Sequence, residues 1–255
     1  MVTKKTTTKK APVKKTSAKT TKVKEPSHIG LVKNDAYLAP YEDAIRGRHE
    51  HALWKMNQLT QNGKLTLSDF ANGHNYYGLH QTADGWVFRE WDPNATEIYL
   101  VGDFNGWNEQ EAYQCHRIEG TGNWELTLPH DAMQHGQYYK MRVHWEGGEG
   151  ERIPAWAQRV VQDEVSKIFS AQVWAPAEPY VWKKKTFKPQ TSPLLIYEFH
   201  IGMAQDEEKV GTYNEFREKV LPRIIKDGYN AIQIMAIQEH PYYGSFGYHV
   251  SSFFA

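Results

Sequence analysis

Between residues 86 and 145 the chain alternates apolar and polar side chains in short runs, and most of these runs are bounded by Gly, Asn or Pro. Trp86-Val87-Phe88-Arg89-Glu90-Trp91 is one, Glu97-Ile98-Tyr99-Leu100-Val101-Gly102 the next. Asn123-Trp124-Glu125-Leu126-Thr127-Leu128 and the stretch from Gly136 to Trp145, closed by Gly147-Gly148, complete the set. A period of two sends successive side chains to opposite faces of an extended strand, so each run can bury one face only and needs neighbours along its edges. Short strands at this spacing imply an all-β sandwich over residues 78–182.

The period differs on either side. From Pro40 to Leu59 it is helical: Ile45, Ala52, Leu53, Met56 and Leu59 can share one face, Pro40 suits a first turn, and Glu42 and Asp43 complement the positive end of the helix dipole. A short second helix is expected over Thr66–Asn72, capped by Thr66 or Ser68. This defines a helical segment over 35–77. After a charged linker (183–192) comes a strand over Leu194–Ile201 with a continuous apolar start. Next is a helix capped by Thr212, disturbed near Pro222 and ended by Gly228, then a second buried strand over Ala231–Ile237. Strand, helix and strand in this length make a βαβ unit with a parallel sheet.

Composition excludes several classes of function. Residues 1–24 carry nine Lys and no acid. A tail of Lys, Thr, Ala, Val and Pro cannot bury enough apolar surface to offset its ordering entropy, so residues 1–34 are read as disordered and solubilising. The tail lacks the apolar core of a secretory signal, and no run is long enough to span a bilayer. One cysteine, Cys115, permits no internal disulfide and fits a reducing, cytoplasmic setting. No nucleic-acid fold, membrane contact, metal site or cofactor is expected; the histidines are scattered, and His49 and His51 on a helix face different sides.

Eight of the nine tryptophans fall between Trp86 and Trp182. A flat indole can stack on the C–H face of a pyranose ring, so a tryptophan-rich sandwich suits sugar binding. Within it, Gly102-Asp103-Phe104-Asn105-Gly106-Trp107 resembles the signature turn of the family-48 carbohydrate-binding modules, immunoglobulin-like sandwiches that accompany starch- and glycogen-active enzymes. Other segments resemble the 1,4-α-glucan branching enzymes of the eukaryotic-like type. These are Tyr37-Leu38-Ala39-Pro40-Tyr41, Arg152-Ile153-Pro154-Ala155-Trp156-Ala157, Val173-Trp174-Ala175-Pro176, Tyr197-Glu198-Phe199-His200-Ile201-Gly202, Val220-Leu221-Pro222-Arg223-Ile224 and residues 229–254. The resemblance covers about residues 35–255 and leaves out the tail.

The resemblance implies a branch of glycoside hydrolase family 13, whose members cut an α-1,4 linkage and transfer the freed chain to a 6-hydroxyl in glycogen biosynthesis. The mechanism is retaining, with an Asp nucleophile, a Glu acid/base and a stabilising Asp. It makes residues 193–255 the first βαβ unit of an incomplete (β/α)8 TIM barrel. The catalytic carboxylates are then expected beyond Ala255 and the chain itself is expected to be inactive. Glu198 and Glu239, though at strand ends, match none of them.

The partner implied is α-1,4-glucan, as glycogen, starch or maltooligosaccharides. Tyr248 matches the family tyrosine that stacks beside the cleaved bond, and His240 and Tyr243 precede it on the same loop. A second groove maps onto Asn62 and Gly63, onto Trp91, Asp92 and Pro93, and onto Gly120, Thr121, Gly122 and Asn123, with Trp91 as platform. This chain departs from the family's pattern there, since Gly63 lacks an acidic side chain and Asn123 replaces a lysine. Trp107 and Lys140 form a third possible sugar face. A stand-alone glucan-binding scaffold and a fragment of another family-13 amylase or debranching enzyme are the alternatives. Against the scaffold, a binding module has no use for part of a barrel with unpartnered apolar strands.

Overall fold

A computed structural model describes residues 30–188 and 192–255. The expectation of a disordered tail falls, through residue 29, outside the described residues, as do positions 189–191 of the linker. The chain divides into two compact units, one ending at Ala71 and the other running from Asn72 to Ala255.

The first unit is helical. After α1 (Gly30–Asn34), the Asp35 carboxylate accepts the N–H of Tyr37 at 2.9 Å and opens a 3-10 turn over Ala36–Tyr41. That turn holds Pro40, so α2 (Glu42–Leu59) starts two residues later than expected, with Glu42 and Asp43 in its first turn. Gln61, Asn62 and Gly63 then take left-handed conformations that break the helix. Thr66 rather than Ser68 caps α3 (Leu67–Phe70). Its hydroxyl accepts from the Asp69 N–H at 3.1 Å, and the Asp69 carboxylate accepts from the Thr66 N–H at 2.8 Å. None of the five residues expected on the apolar face of α2 is buried.

The second unit opens with nine strands among its described residues. They are β1 (Gly78–Thr82), β2 (Gly85–Trp91), β3 (Ala95–Gly102), β4 (His116–Ile118), β5 (Asn123–Leu128), β6 (Tyr138–Trp145), β7 (Gly148–Arg152), β8 (Val160–Gln162) and β9 (Phe169–Gln172). One antiparallel sheet has the order β1-β2-β5-β4; the other has the order β3-β6-β9-β8, with β7 also paired to β6. The alternation in the sequence becomes the core. Trp86 and Phe88 of β2 and Trp124, Leu126 and Leu128 of β5 meet Ile98, Leu100, Tyr139, Met141, Val143 and Ala171 of the facing sheet. Each fully buried side chain of this size contributes about 1.5–3 kcal/mol. Residues 72–77, read from the sequence with the helices, pack in this unit: Tyr77 stacks on Trp156 at 5.1 Å and donates its hydroxyl to Asn123.

The strand–helix–strand expectation is met by β10 (Ile196–His200) and β11 (Ala231–Met235), which pair in parallel with Phe199 opposite Ile234. Thr212 caps α4 (Tyr213–Glu215) in a second reciprocal capping box. A π turn over Phe216–Val220 then leads into α5 (Leu221–Lys226), and Gly228 follows at φ +91°. The wide turn ends two residues before Pro222, which has no N–H to continue the ordinary ladder. Phe216, Val220 and Ile224 cover one face of the strand pair, with Phe199 stacked on Phe216 at 4.0 Å. On β11, Ile232 and Ile234 remain 42% and 37% exposed.

Candidate functional site

Strand parity separates two neighbouring residues. Trp86, Phe88 and Glu90 point to the core face of β2, while Trp91, on the opposite face, is 57% exposed. The β2–β5 register sets Trp91 opposite Asn123, which brings the turn before β5 alongside the indole. Trp91, Pro93, Arg117, Glu119, Gly120, Thr121 and Gly122 line an open cavity of about 420 Å³ there. Gly122, at φ +76°, lets the turn lie against the ring edge. A Cβ at that position would stand 3.1 Å from Trp91 Nε1 and 3.0 Å from Pro93 Cβ.

The cavity thus gathers Trp91, Pro93, Gly120, Thr121 and Gly122 from the set expected as a groove. Asp92 and Asn123 are not among its walls. The Asp92 carbonyl accepts from Trp124 Nε1 at 2.8 Å, and Asn123 Oδ1 accepts from the Tyr77 hydroxyl at 2.9 Å. Asn62 and Gly63 belong to the first unit. Arg117 and Glu119 were not expected; their signal is their place just before the Gly120-Thr121-Gly122 turn. One guanidinium nitrogen of Arg117 donates to the Pro93 carbonyl at 2.7 Å.

Trp91 also borders a second cavity, of about 350 Å³, lined by Tyr77, Glu90, Ala155 and Trp156. Glu90 is 3% exposed. Its Oε1 accepts the Trp91 N–H at 3.0 Å and its Oε2 accepts the Ala155 N–H at 2.8 Å. Burial pushes its carboxyl above the usual range; the two N–H groups pull the other way, and the nearby Asp92 charge adds to the rise. Trp156 is held between Tyr77 and Phe254, the latter stacked at 4.4 Å.

Trp107 and Lys140 also line a common cavity, of about 320 Å³, with Asp103, Tyr138 and Glu151 among its walls. The turn that places Trp107 is built by Asn105, whose side chain accepts the Gly102 N–H and donates to the Leu100 carbonyl, each at 2.9 Å. Both groups are already engaged here: Trp107 Nε1 donates to Asp103 and Lys140 Nζ to Glu151, each at 3.0 Å.

The loop after β11 carries His240, Tyr243 and Tyr248. Tyr248 is 74% exposed, Tyr243 packs edge-on against His200 at 5.7 Å, and His240 Nδ1 lies 3.0 Å from the Gln238 carbonyl oxygen. Ala236 and Phe246, both non-glycine residues with left-handed φ, flank His240 and Tyr243, a form of backbone strain that collects at binding sites. Elsewhere, Glu109, His144 and Glu149 bring one donor atom each within 4.8 Å of one another. The two imidazole nitrogens of His144 are already taken by the carboxylates, at 2.9 and 3.2 Å.

Residues 76–157 match the family model for carbohydrate-binding module 48, the isoamylase N-terminal domain. The chain is 42% identical over 236 residues to a 1,4-alpha-glucan-branching enzyme of Yarrowia lipolytica, covering 88% of this chain and 33% of that protein. It is 38% identical over 234 residues to the enzyme of the same name from Dictyostelium discoideum, covering 88% and 34%. The chain therefore spans about a third of the length of the curated relatives it matches. Among solved structures, pullulanase type I from Bacillus subtilis, complexed with maltose, superposes with a TM-score of 0.52 at 21% identity, covering 64% of this chain and 24% of that one. The catalytic module of a pneumococcal glycogen-degrading virulence factor superposes with a TM-score of 0.51 at 21% identity, covering 64% and 27%. Residues 76–157 thus match a family-48 carbohydrate-binding module, within a chain similar over 88% of its length to about a third of two 1,4-alpha-glucan-branching enzymes.

Proposed function

We propose that this chain is the glucan-binding N-terminal part of a branching enzyme, and that Trp91 is the platform on which one ring of an α-1,4-glucan stacks. The observation that carries this reading is the half-open indole of Trp91 beside an open cavity, in a module of a carbohydrate-binding family. A sugar ring presents axial C–H groups to the indole face and hydroxyls around its rim. The donors of Arg117 left over from its bond to Pro93 and the Glu119 carboxylate can meet that rim. The β10–β11 pair is read as the first βαβ unit of a family-13 barrel, whose later strands would supply the Asp nucleophile, the Glu acid/base and the stabilising Asp. We assign no catalytic carboxylate within the 255 residues. Tyr248, with His240 and Tyr243, would contribute to the donor-sugar subsite at the strand ends.

The Trp107–Lys140 cavity is the second reading for the sugar face, favoured by the convergence of those two side chains and opposed by their existing partners. The test compares Trp91→Ala with Trp107→Ala for migration through an amylose-containing gel. Loss of retardation only in Trp91→Ala supports the first face; loss only in Trp107→Ala overturns it. A change in the iodine spectrum of amylose after incubation with the 255-residue chain, traced to new α-1,6 links, would overturn its inactivity.

A further inference from the structure

We propose that Glu90 is a positioning residue for glucan binding: through its bonds to the Trp91 and Ala155 N–H groups, its buried carboxylate holds the Trp91 indole where a sugar ring can stack on it. This rests on the reading of Trp91 as the platform.

The geometry explains why such a group is needed. β1 pairs with β2 only as far as Arg89, opposite Gly78, so the last two residues of β2 have no strand on that edge. On the other edge the pairing with β5 continues through Glu90 and Trp91. The Trp91 N–H is satisfied by the preceding side chain instead of a ladder partner. The second oxygen takes the N–H of Ala155, in the segment that crosses the open edge and carries Trp156. One carboxylate thus replaces the missing strand by clasping two backbone segments. An acid at this inward position of β2, in line with Trp86 and Phe88, has no packing advantage over an apolar side chain. What it offers is acceptor capacity for two N–H groups at once.

The groups facing Glu90 are Asp92 on the following turn, the Tyr77 hydroxyl, and the buried Cys115 and Tyr139 from the rest of the core. No cation pairs with it among the described residues; the neighbouring Arg89 is bound to Glu125. Protonation converts one oxygen to a donor and leaves one of the two N–H groups without its acceptor, which loosens the clasp. Glucan affinity is therefore expected to fall as pH drops through the raised Glu90 pKa. Fold stability should run the opposite way. A carboxyl whose folded pKa lies above its unfolded value loses stability as pH rises through that window and regains it as pH falls. A purely structural role would not produce this divergence.

The experiment measures the affinity of the full chain for maltoheptaose between about pH 4.5 and 7.5, with the melting temperature at each pH. Wild type should lose about five-fold in affinity towards the acid end, the equivalent of one hydrogen bond, without a matching fall in melting temperature. Glu90→Gln should be weakened about as much at neutral pH and show no further pH dependence. Glu90→Asp keeps the charge but is too short to reach both N–H groups, and should be weakened while keeping a slope. A wild-type affinity that is flat across the range overturns the inference even if neither variant folds. So does a Glu90→Gln variant with the wild-type profile while Trp91→Ala is weak, a result that leaves the platform reading intact. Wild-type affinity in Trp91→Ala removes the platform and this inference together.

Discussion

Replacing Trp91 by alanine is the sharpest test of the site, because its effects on binding and on folding can be separated. A tryptophan presents up to about 250 Å², and 57% of this one is exposed, which leaves roughly 140 Å² free. A ring stacked on one face covers about half of that, or roughly 70 Å². At about 25 cal/mol per Å² this amounts to roughly 1.8 kcal/mol. Incomplete pairing of the rim hydroxyls reduces it, to about 1 kcal/mol at the lower end. The variant should therefore bind glucan about 5 to 20 times more weakly. An exposed position of this kind should cost within about 0.5 kcal/mol in folding. Titration calorimetry with maltoheptaose reads the first quantity and a urea melt the second. Unchanged affinity in a folded Trp91→Ala chain would refute the stacking argument. A loss of affinity matched by a fold loss of several kcal/mol would show the residue to be structural.

Further outcomes follow from the same contacts. Gly122→Ala places a methyl group against Trp91 and Pro93 at a left-handed φ and should both destabilise the fold, by about 1 kcal/mol or more, and lower glucan affinity; a urea melt and a gel-retardation assay read the two effects. Asn105→Ala removes two buried hydrogen bonds and should cost about 2–3 kcal/mol in a urea melt, with only a small cost counting against the turn as described. Burial pushes the thiol pKa of Cys115 up, so a disulfide exchange reagent should leave it unmodified in the native chain and react once it unfolds; rapid native labelling would contradict its placement in the core.

The strands that bury a face could be read from the sequence, and those that do not could not. β2, β3, β5 and β6 announce themselves by alternation because each delivers large side chains to the core. β7, Gly-Glu-Gly-Glu-Arg, holds no apolar residue at all and is a strand only because β6 pairs with it and Glu151 reaches Lys140 and Arg142. β4 is three residues long, which is why Arg117 and Glu119 escaped notice at the site. Glu90 could have been found, since its parity with Trp86 and Phe88 marks it as an inward-pointing acid. Asp92 and Asn123 do not line the cavity: the Asp92 backbone carbonyl takes the Trp124 indole N–H, and the Asn123 side chain takes the Tyr77 hydroxyl.

The ring stack of Tyr77, Trp156 and Phe254 has a mechanical consequence. Between Trp174 and Leu194, some twenty residues apart in the chain, the described residues form no helix or strand. A flexible tether of ~20 residues has an end-to-end distance of roughly 25 Å and would let two bodies wander past each other. Phe254, carried by the segment beyond β11, bypasses that tether by docking on a ring that belongs to the sandwich. The sandwich is thereby a handle rather than a leash: a load applied to it reaches the segment beyond β11 through three stacked rings as well as along the chain.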